Sequence, residues 1–269
     1  MTQYHTTRSG RRYHIQIEGV GDPLVLLHGF SGDASTWRAV IERLADCSQC
    51  FAIDLLGHGE SDAPADAARY RMDSVAADII DLLDMLALTK SNLLGYSMGG
   101  RLALFLALQS PQRFGALMLE SASPGLADDG ARADRRRRDC DLADRIEANA
   151  IASFVDYWEG LPIWASQSEG QIRAQRNQRL TNRPQGLANC LRGMGTGAQP
   201  NLWGELPNLR APTCLIVGER DAKFRRTNQL MAAAMPQASL SIIPTAGHNT
   251  HLENPGAFCQ AIRSFLQRR

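Results

Sequence analysis

Hydrophobic and polar positions follow two recurring patterns along the first half of the chain. Tyr13 to Glu18 alternates with period two and predicts an edge strand. Leu24 to Leu27 is an unbroken apolar run, the mark of a strand covered on both faces. Ser35 to Ala45 puts Trp37, Ile41 and Leu44 on one helical face. Phe51 to Asp54 predicts another short strand. Met72 to Leu88 predicts a long helix, with Val75, Ile79, Leu82, Leu83 and Leu86 at helical spacing. A strand over Asn92 to Tyr96, a sharp turn at Ser97 and a helix over Met98 to Leu108 follow. Pro111 stops that helix, because proline lacks an amide hydrogen and clashes with the preceding turn. Ala116 to Glu120 is the next strand. Such alternation argues for an α/β fold built on a largely parallel sheet.

The pattern changes after Gly125. From Asp128 to about Asn201 helical periods succeed one another without strands between them. These are a charge-rich stretch over Arg132 to Ala148, an amphipathic one over Ile151 to Trp158, and a polar one over Gly170 to Leu191. Strand signals resume with Pro212 to Gly218 and Ser239 to Ile243, and Pro255 to Leu266 predicts a closing helix. Residues 1–125 and 205–269 are therefore read as one core, and residues 126–204 as a helical cap inserted into it.

Composition narrows the function. Lys plus Arg is 29 against 28 Asp plus Glu, a net charge of +1. No global basic excess is present to drive binding to nucleic acid. The basic residues are nonetheless skewed: all but Lys90 and Lys223 are arginines, whose flat fork suits carboxylates. No stretch approaches the ~20 apolar residues of a membrane span, and Met1 to His14 lacks the apolar region of a signal peptide. The expectation is a cytoplasmic protein without membrane partners, monomeric or weakly self-associating. Cys47 and Cys50 form a CxxC with no second pair at metal-site spacing, so no metal is expected.

The strongest chemical signal is Gly95-Tyr96-Ser97-Met98-Gly99, a G-x-S-x-G between strand and helix. A serine needs a base, and the base an orienting acid. Asp221, after the strand ending at Gly218, and His248, after the last strand, stand in the order that a nucleophile elbow requires. Glu219 is the rival acid and His251 the rival base; His5 and His14 are expected at the surface. Backbone amides of Phe30, in His28-Gly29-Phe30-Ser31-Gly32, and of Met98 are the candidate oxyanion donors. Asp54-Leu55-Leu56-Gly57-His58-Gly59-Glu60-Ser61 is glycine-rich but has no dinucleotide or phosphate-loop spacing, so no cofactor is expected.

Residues 23–267 resemble the α/β-hydrolase superfamily, on His28-Gly29-Phe30, Gly57-His58-Gly59-Glu60-Ser61, the serine elbow, Asp221 and His248. Within it the chain is most similar to the 2-succinyl-6-hydroxy-2,4-cyclohexadiene-1-carboxylate (SHCHC) synthases. That similarity rests on Gly100-Arg101 after the elbow, Glu120-Ser121-Ala122-Ser123-Pro124-Gly125-Leu126, Leu161-Pro162-Ile163-Trp164-Ala165-Ser166, Leu191 to Gly197, and Gly218 to Phe224. The resemblance implies an α/β-hydrolase fold, a mostly parallel sheet flanked by helices with a helical cap. It implies a lyase of menaquinone or phylloquinone biosynthesis that eliminates pyruvate from 2-succinyl-5-enolpyruvyl-6-hydroxy-3-cyclohexene-1-carboxylate, with Ser97 as base and no acyl-enzyme. It also implies that Arg101, Arg135 and Arg179 bind this polycarboxylate, and that Tyr96 and Trp158 line its pocket. Arg136, Arg137 and Arg138 adjoin Arg135 and compete for its assignment. The triad alone is equally compatible with a serine hydrolase acting on a carboxylic ester or a carbon–carbon bond of an anionic small molecule, and the fold with a ligand-binding receptor.

Overall fold

The computed structural model describes residues 1–268. Its strands are β1 (Thr2–Thr6), β2 (Arg12–Glu18), β3 (Asp22–Leu27), β4 (Ser48–Ile53), β5 (Ser91–Tyr96), β6 (Phe114–Glu120), β7 (Thr213–Gly218) and β8 (Ala238–Ile243). They form one eight-stranded sheet in the order β1-β2-β4-β3-β5-β6-β7-β8. Pairing is antiparallel at β1–β2 and β2–β4 and parallel from β4 onward. The helices are α1 (Arg38–Leu44), α2 (Met72–Met85), α3 (Met98–Gln109), α4 (Asp129–Ala148), α5 (Ile151–Glu159), α6 (Glu169–Leu180), α7 (Pro184–Met194), α8 (Ala222–Ala234), α9 (Thr250–Glu253) and α10 (Pro255–Gln267). Among the described residues no helix is long and apolar enough to cross a membrane.

The short apolar runs are buried on both faces. Val25 and Leu27 face a core shared with α2, α3 and α8, where Ile79, Leu102, Leu106 and Met231 pack. Leu24 and Leu26, one residue out of phase, face a second core with Trp37 and Leu44 before and in α1 and Phe258 and Ile262 in α10. Period-two alternation of direction along a strand makes both layers possible from one run of leucine and valine.

Two expectations at the N-terminus are corrected. The strand beginning near Tyr13 is not at the edge: β2 pairs with β4 on one side and with β1 on the other, and β1 is the edge. The polar residues Thr2 to Thr6 give no apolar alternation, so β1 owes its form to pairing with β2. His14 is likewise buried, because β2 is covered; its Nδ1 lies 2.8 Å from Asp54 Oδ2. The contact with Asp54 raises the His14 pKa against the opposing effect of burial.

Between β6 and β7 the chain is helical. The polar stretch beginning near Gly170 is two helices, because Pro184 opens α7 after α6 has ended at Leu180. Phe154 and Val155 of α5, Ala143 and Ile146 of α4, and Leu187 and Leu191 of α7 form a small separate core, with Phe30 packed against its edge. This helical layer is tied down by side-chain amides: Asn182 donates to the Ser31 carbonyl at 3.0 Å and Asn189 to the Ala65 carbonyl at 3.0 Å. At Gly57 and Gly186 the two backbones touch, and a Cβ on Gly186 would stand 2.3 Å from the Gly57 oxygen. Only glycine at both positions permits that approach.

Candidate active site

Ser97 occupies the turn between β5 and α3 with φ of 50° and ψ of −107°. A positive φ is strained for serine and is held by its surroundings. The Ser97 amide donates to the Glu120 carbonyl at 2.8 Å, and the Arg101 amide donates to the Ser97 carbonyl at 3.0 Å. The turn also needs a bare backbone, since a Cβ on Gly99 would lie 2.1 Å from the Leu27 oxygen.

His248 and Asp221 reach this turn from the ends of β8 and β7. His248 Nε2 lies 3.2 Å from Ser97 Oγ, and Nδ1 lies 2.8 Å from Asp221 Oδ2. The other Asp221 oxygen accepts the Phe224 amide at 3.1 Å at the start of α8. The Phe224 ring lies 4.6 Å from the imidazole. Both rivals have other partners. Glu219 accepts the Thr245 amide at 2.9 Å, and His251 faces Glu120 Oε2 at 2.6 Å inside the core.

The loop after β3 crosses the nucleophile. A Cβ on Gly29 would be 3.6 Å from Ser97 Cβ, which places the Phe30 backbone next to the elbow. Met98 is the first residue of α3, so its amide has no carbonyl one turn earlier within the helix. His28 braces the loop: its Nδ1 donates to the Gly29 carbonyl at 2.8 Å, while Nε2 accepts the Leu55 amide at 2.9 Å. That pairing requires the neutral imidazole, and burial accordingly lowers the His28 pKa.

The sequence-selected substrate contacts are distributed differently. Arg101 is buried, one helical turn from Ser97. Its Nη1 donates to the Met194 carbonyl at 2.8 Å and to Gln199 Oε1 at 3.3 Å. Among the described residues no carboxylate forms an ion pair with it. Burial, with Arg135 nearby, pushes its pKa down to about 10. Arg135 and Arg179, in contrast, already hold carboxylates. Arg135 Nε contacts Asp139 at 2.7 Å, and Arg179 Nη1 contacts Glu159 at 3.1 Å. Arg179 also lies over the Trp164 ring at 5.2 Å, and Trp164 stands 6.0 Å from His248. Trp158 packs on Phe30 at 5.3 Å, and the Tyr96 ring lies 5.6 Å from His248. Tyr96 Oη and the indole nitrogens of Trp158 and Trp164 are buried without partners.

Sequence reasoning did not single out Trp164, Gln199 or Glu120, although two of these fall within the specific motifs. Their roles depend on contacts across the chain, which no local spacing reports. A cavity of about 310 Å³ opens beside His248 and Asp221, with Pro162, Ile163 and Ser166 on one side and Arg220 on the other.

The chain is similar to known proteins. Residues 22–255 match the α/β hydrolase fold family. A relative from Bacillus subtilis (strain 168), provisionally named 2-succinyl-6-hydroxy-2,4-cyclohexadiene-1-carboxylate synthase, is 43% identical over 266 residues, 97% of each chain. The enzyme of that name from Salmonella paratyphi C (strain RKS4594) is 36% identical over 248 residues, 91% of this chain and 93% of the relative. The structure of MenH from S. aureus superimposes with a TM-score of 0.90 at 34% identity, over 95% of this chain and 98% of the other. The chain belongs to the α/β-hydrolase fold family and, within it, to the 2-succinyl-6-hydroxy-2,4-cyclohexadiene-1-carboxylate synthases.

Proposed function

We propose that the protein is a carbon–oxygen lyase that forms SHCHC by eliminating pyruvate from 2-succinyl-5-enolpyruvyl-6-hydroxy-3-cyclohexene-1-carboxylate. The observation that carries the reading is the pairing of a complete Ser97–His248–Asp221 relay with Arg101, a buried cation that lacks a carboxylate. A hydrolase of uncharged esters has no need of such a cation. A polycarboxylate substrate supplies its missing partner.

His248 accepts the Ser97 proton, and Asp221 stabilises the imidazolium. The serine oxygen then takes the ring proton α to the succinyl ketone. The electrons of that C–H bond form an enolate, whose oxygen rests on the Phe30 and Met98 amides. Preorganised donors of this kind contribute about 3–4 kcal/mol each to transition-state stabilisation. As the enolate collapses through the ring double bond, the ring C–O bond breaks and the enolpyruvyl group departs as the enolate of pyruvate, which takes the proton held on the His248 imidazolium and so returns His248 to its neutral form. Serine regains its proton from the substrate and forms no covalent bond.

Arg101 receives one substrate carboxylate. Arg135 and Arg179 add positive charge from residues 126–204, which act as the cap. Binding through either involves sharing or exchange with Asp139 or Glu159. Tyr96, Trp158 and Trp164 supply aromatic walls, with polar hydrogens for further oxygens.

The Ser97→Ala variant tests the base. Its turnover should fall by at least about 10³-fold, and mass spectrometry of the working enzyme should find no adduct on Ser97. A trapped acyl-Ser97 during turnover, or burst kinetics with p-nitrophenyl esters at a comparable rate, would establish a hydrolase instead.

A further inference from the structure

Glu120 stands at a junction outside the triad. Its main-chain carbonyl accepts the Ser97 amide at 2.8 Å and so holds the elbow. Its side chain, fully buried, runs into the segment that follows His248. There it accepts the Thr250 hydroxyl at 2.7 Å and the His251 amide at 3.0 Å, and it faces His251 Nδ1 at 2.6 Å. One residue at the end of β6 thus holds the Ser97 turn directly and, through Thr250 and His251, the segment two and three residues after His248, joining the two sides of a contact between positions 151 apart in the chain.

The surroundings make this grip rigid. The His251 ring stacks on Trp37 at 4.4 Å and meets the edge of Tyr96 at 4.9 Å. Tyr96 also reaches His248, so the two histidines share one aromatic spacer. From the outer side Glu253 accepts the Gly247 amide at 2.7 Å and the Asn249 amide at 3.2 Å. A wholly buried carboxylate–imidazole pair is a poor way to stabilise a core, since apolar groups of similar volume often do as well or better. A charged or polar pair that fixes one geometry has a different use: sub-ångström placement of a general base.

We propose that the Glu120–His251 pair is a positioning device that holds the His248 imidazole at bonding distance from Ser97, setting the rate of proton transfer and not the affinity for substrate. Misplacement of a reacting group by about 1 Å can lower a rate by about 100-fold.

The Glu120→Gln variant tests it through Ser97 labelling by a fluorophosphonate, which needs the relay and not the natural substrate. Labelling and kcat should each fall by about 10- to 100-fold, with KM unchanged. The downfield NMR resonance of the His248–Asp221 proton should broaden or shift. Phe258→Leu, which loosens the packing 5.8 Å from His251, serves as a control and should keep labelling and resonance near the parent at a similar loss of Tm. Wild-type labelling and an unmoved resonance in folded Glu120→Gln would overturn the proposal, as would an equal loss in the control. If Glu120→Gln does not fold, His251→Gln, which leaves the carboxylate two of its donors, is read in the same way. Because labelling is independent of pyruvate release, a wrong substrate assignment would leave this result standing.

Discussion

At the scale of single residues the site is governed by burial. Arg101 is only 9% exposed and is solvated by two neutral acceptors. Guanidinium desolvation on that scale is costly unless a charge completes the shell. A substrate carboxylate at Arg101 would be held by a charge-assisted contact whose loss costs about 2 kcal/mol or more. The Arg101→Met variant should therefore lose at least about 30-fold in kcat/KM toward the anionic substrate, mainly through KM. Fluorophosphonate labelling of Ser97 should be unchanged. Equal loss in both assays would mean that Arg101 only shapes the elbow. His58 gives a second residue-level prediction. Burial, reinforced by His28, pulls its pKa from 6.5 to about 3. Between these values the unfolded chain binds a proton that the folded protein does not, so stability falls as pH drops below about 6.5. Urea denaturation at pH 7 and pH 4.5 should show that fall, and His58→Asn should show less of it. An equal fall in both proteins would contradict the assigned protonation state.

At the scale of elements, what could be read locally depended on whether a residue's neighbours lie near it in sequence. The strands of the parallel sheet are apolar on both faces, so their identity is written in single runs such as Leu24 to Leu27. The elbow is equally legible, because Gly95, Ser97 and Gly99 are all needed within one turn. Edge strand β1 left no such mark, since polar residues form it through pairing with β2. The break between α6 and α7 lay in one residue, Pro184, within a polar region that otherwise continued a helical pattern. The Glu120–His251 pair spans 131 positions and joins two elements, so no spacing announces it. The seating of the helical layer is likewise a matter of contact between distant glycines. Gly186→Ala would drive a Cβ into the Gly57 carbonyl. Overpacking of this kind costs about 1–3 kcal/mol. Limited proteolysis should cut residues 126–204 faster in that variant, and kcat/KM should fall with it. Parental resistance to protease would show that the layer is held by its amide contacts alone.

At the scale of the whole molecule the near-zero net charge conceals a divided interior. Most arginines sit in ion pairs with nearby acids, as Arg192 does with Asp144 and Glu147. Exposed pairs of that sort add little to stability. Among the buried arginines of the described residues, Arg101 is the one without an ion pair, where α3 packs against the 194–199 segment. The proposed elimination and the rival hydrolysis differ in what they require of the site. Hydrolysis needs a water delivered to an acyl-serine, whereas elimination needs only a base, an enolate site and a leaving group placed to depart. On the proposed function the Ser97–His248 contact supplies the base, the Phe30 and Met98 amides the enolate site, and buried Arg101 an anchor for the substrate.

The central claim is tested most directly by incubating the purified protein with 2-succinyl-5-enolpyruvyl-6-hydroxy-3-cyclohexene-1-carboxylate and measuring released pyruvate against substrate consumed. The account predicts one pyruvate per substrate and a product with the added ring conjugation of SHCHC, both dependent on Ser97. Substrate left intact by a protein whose Ser97 still reacts with a fluorophosphonate would contradict it.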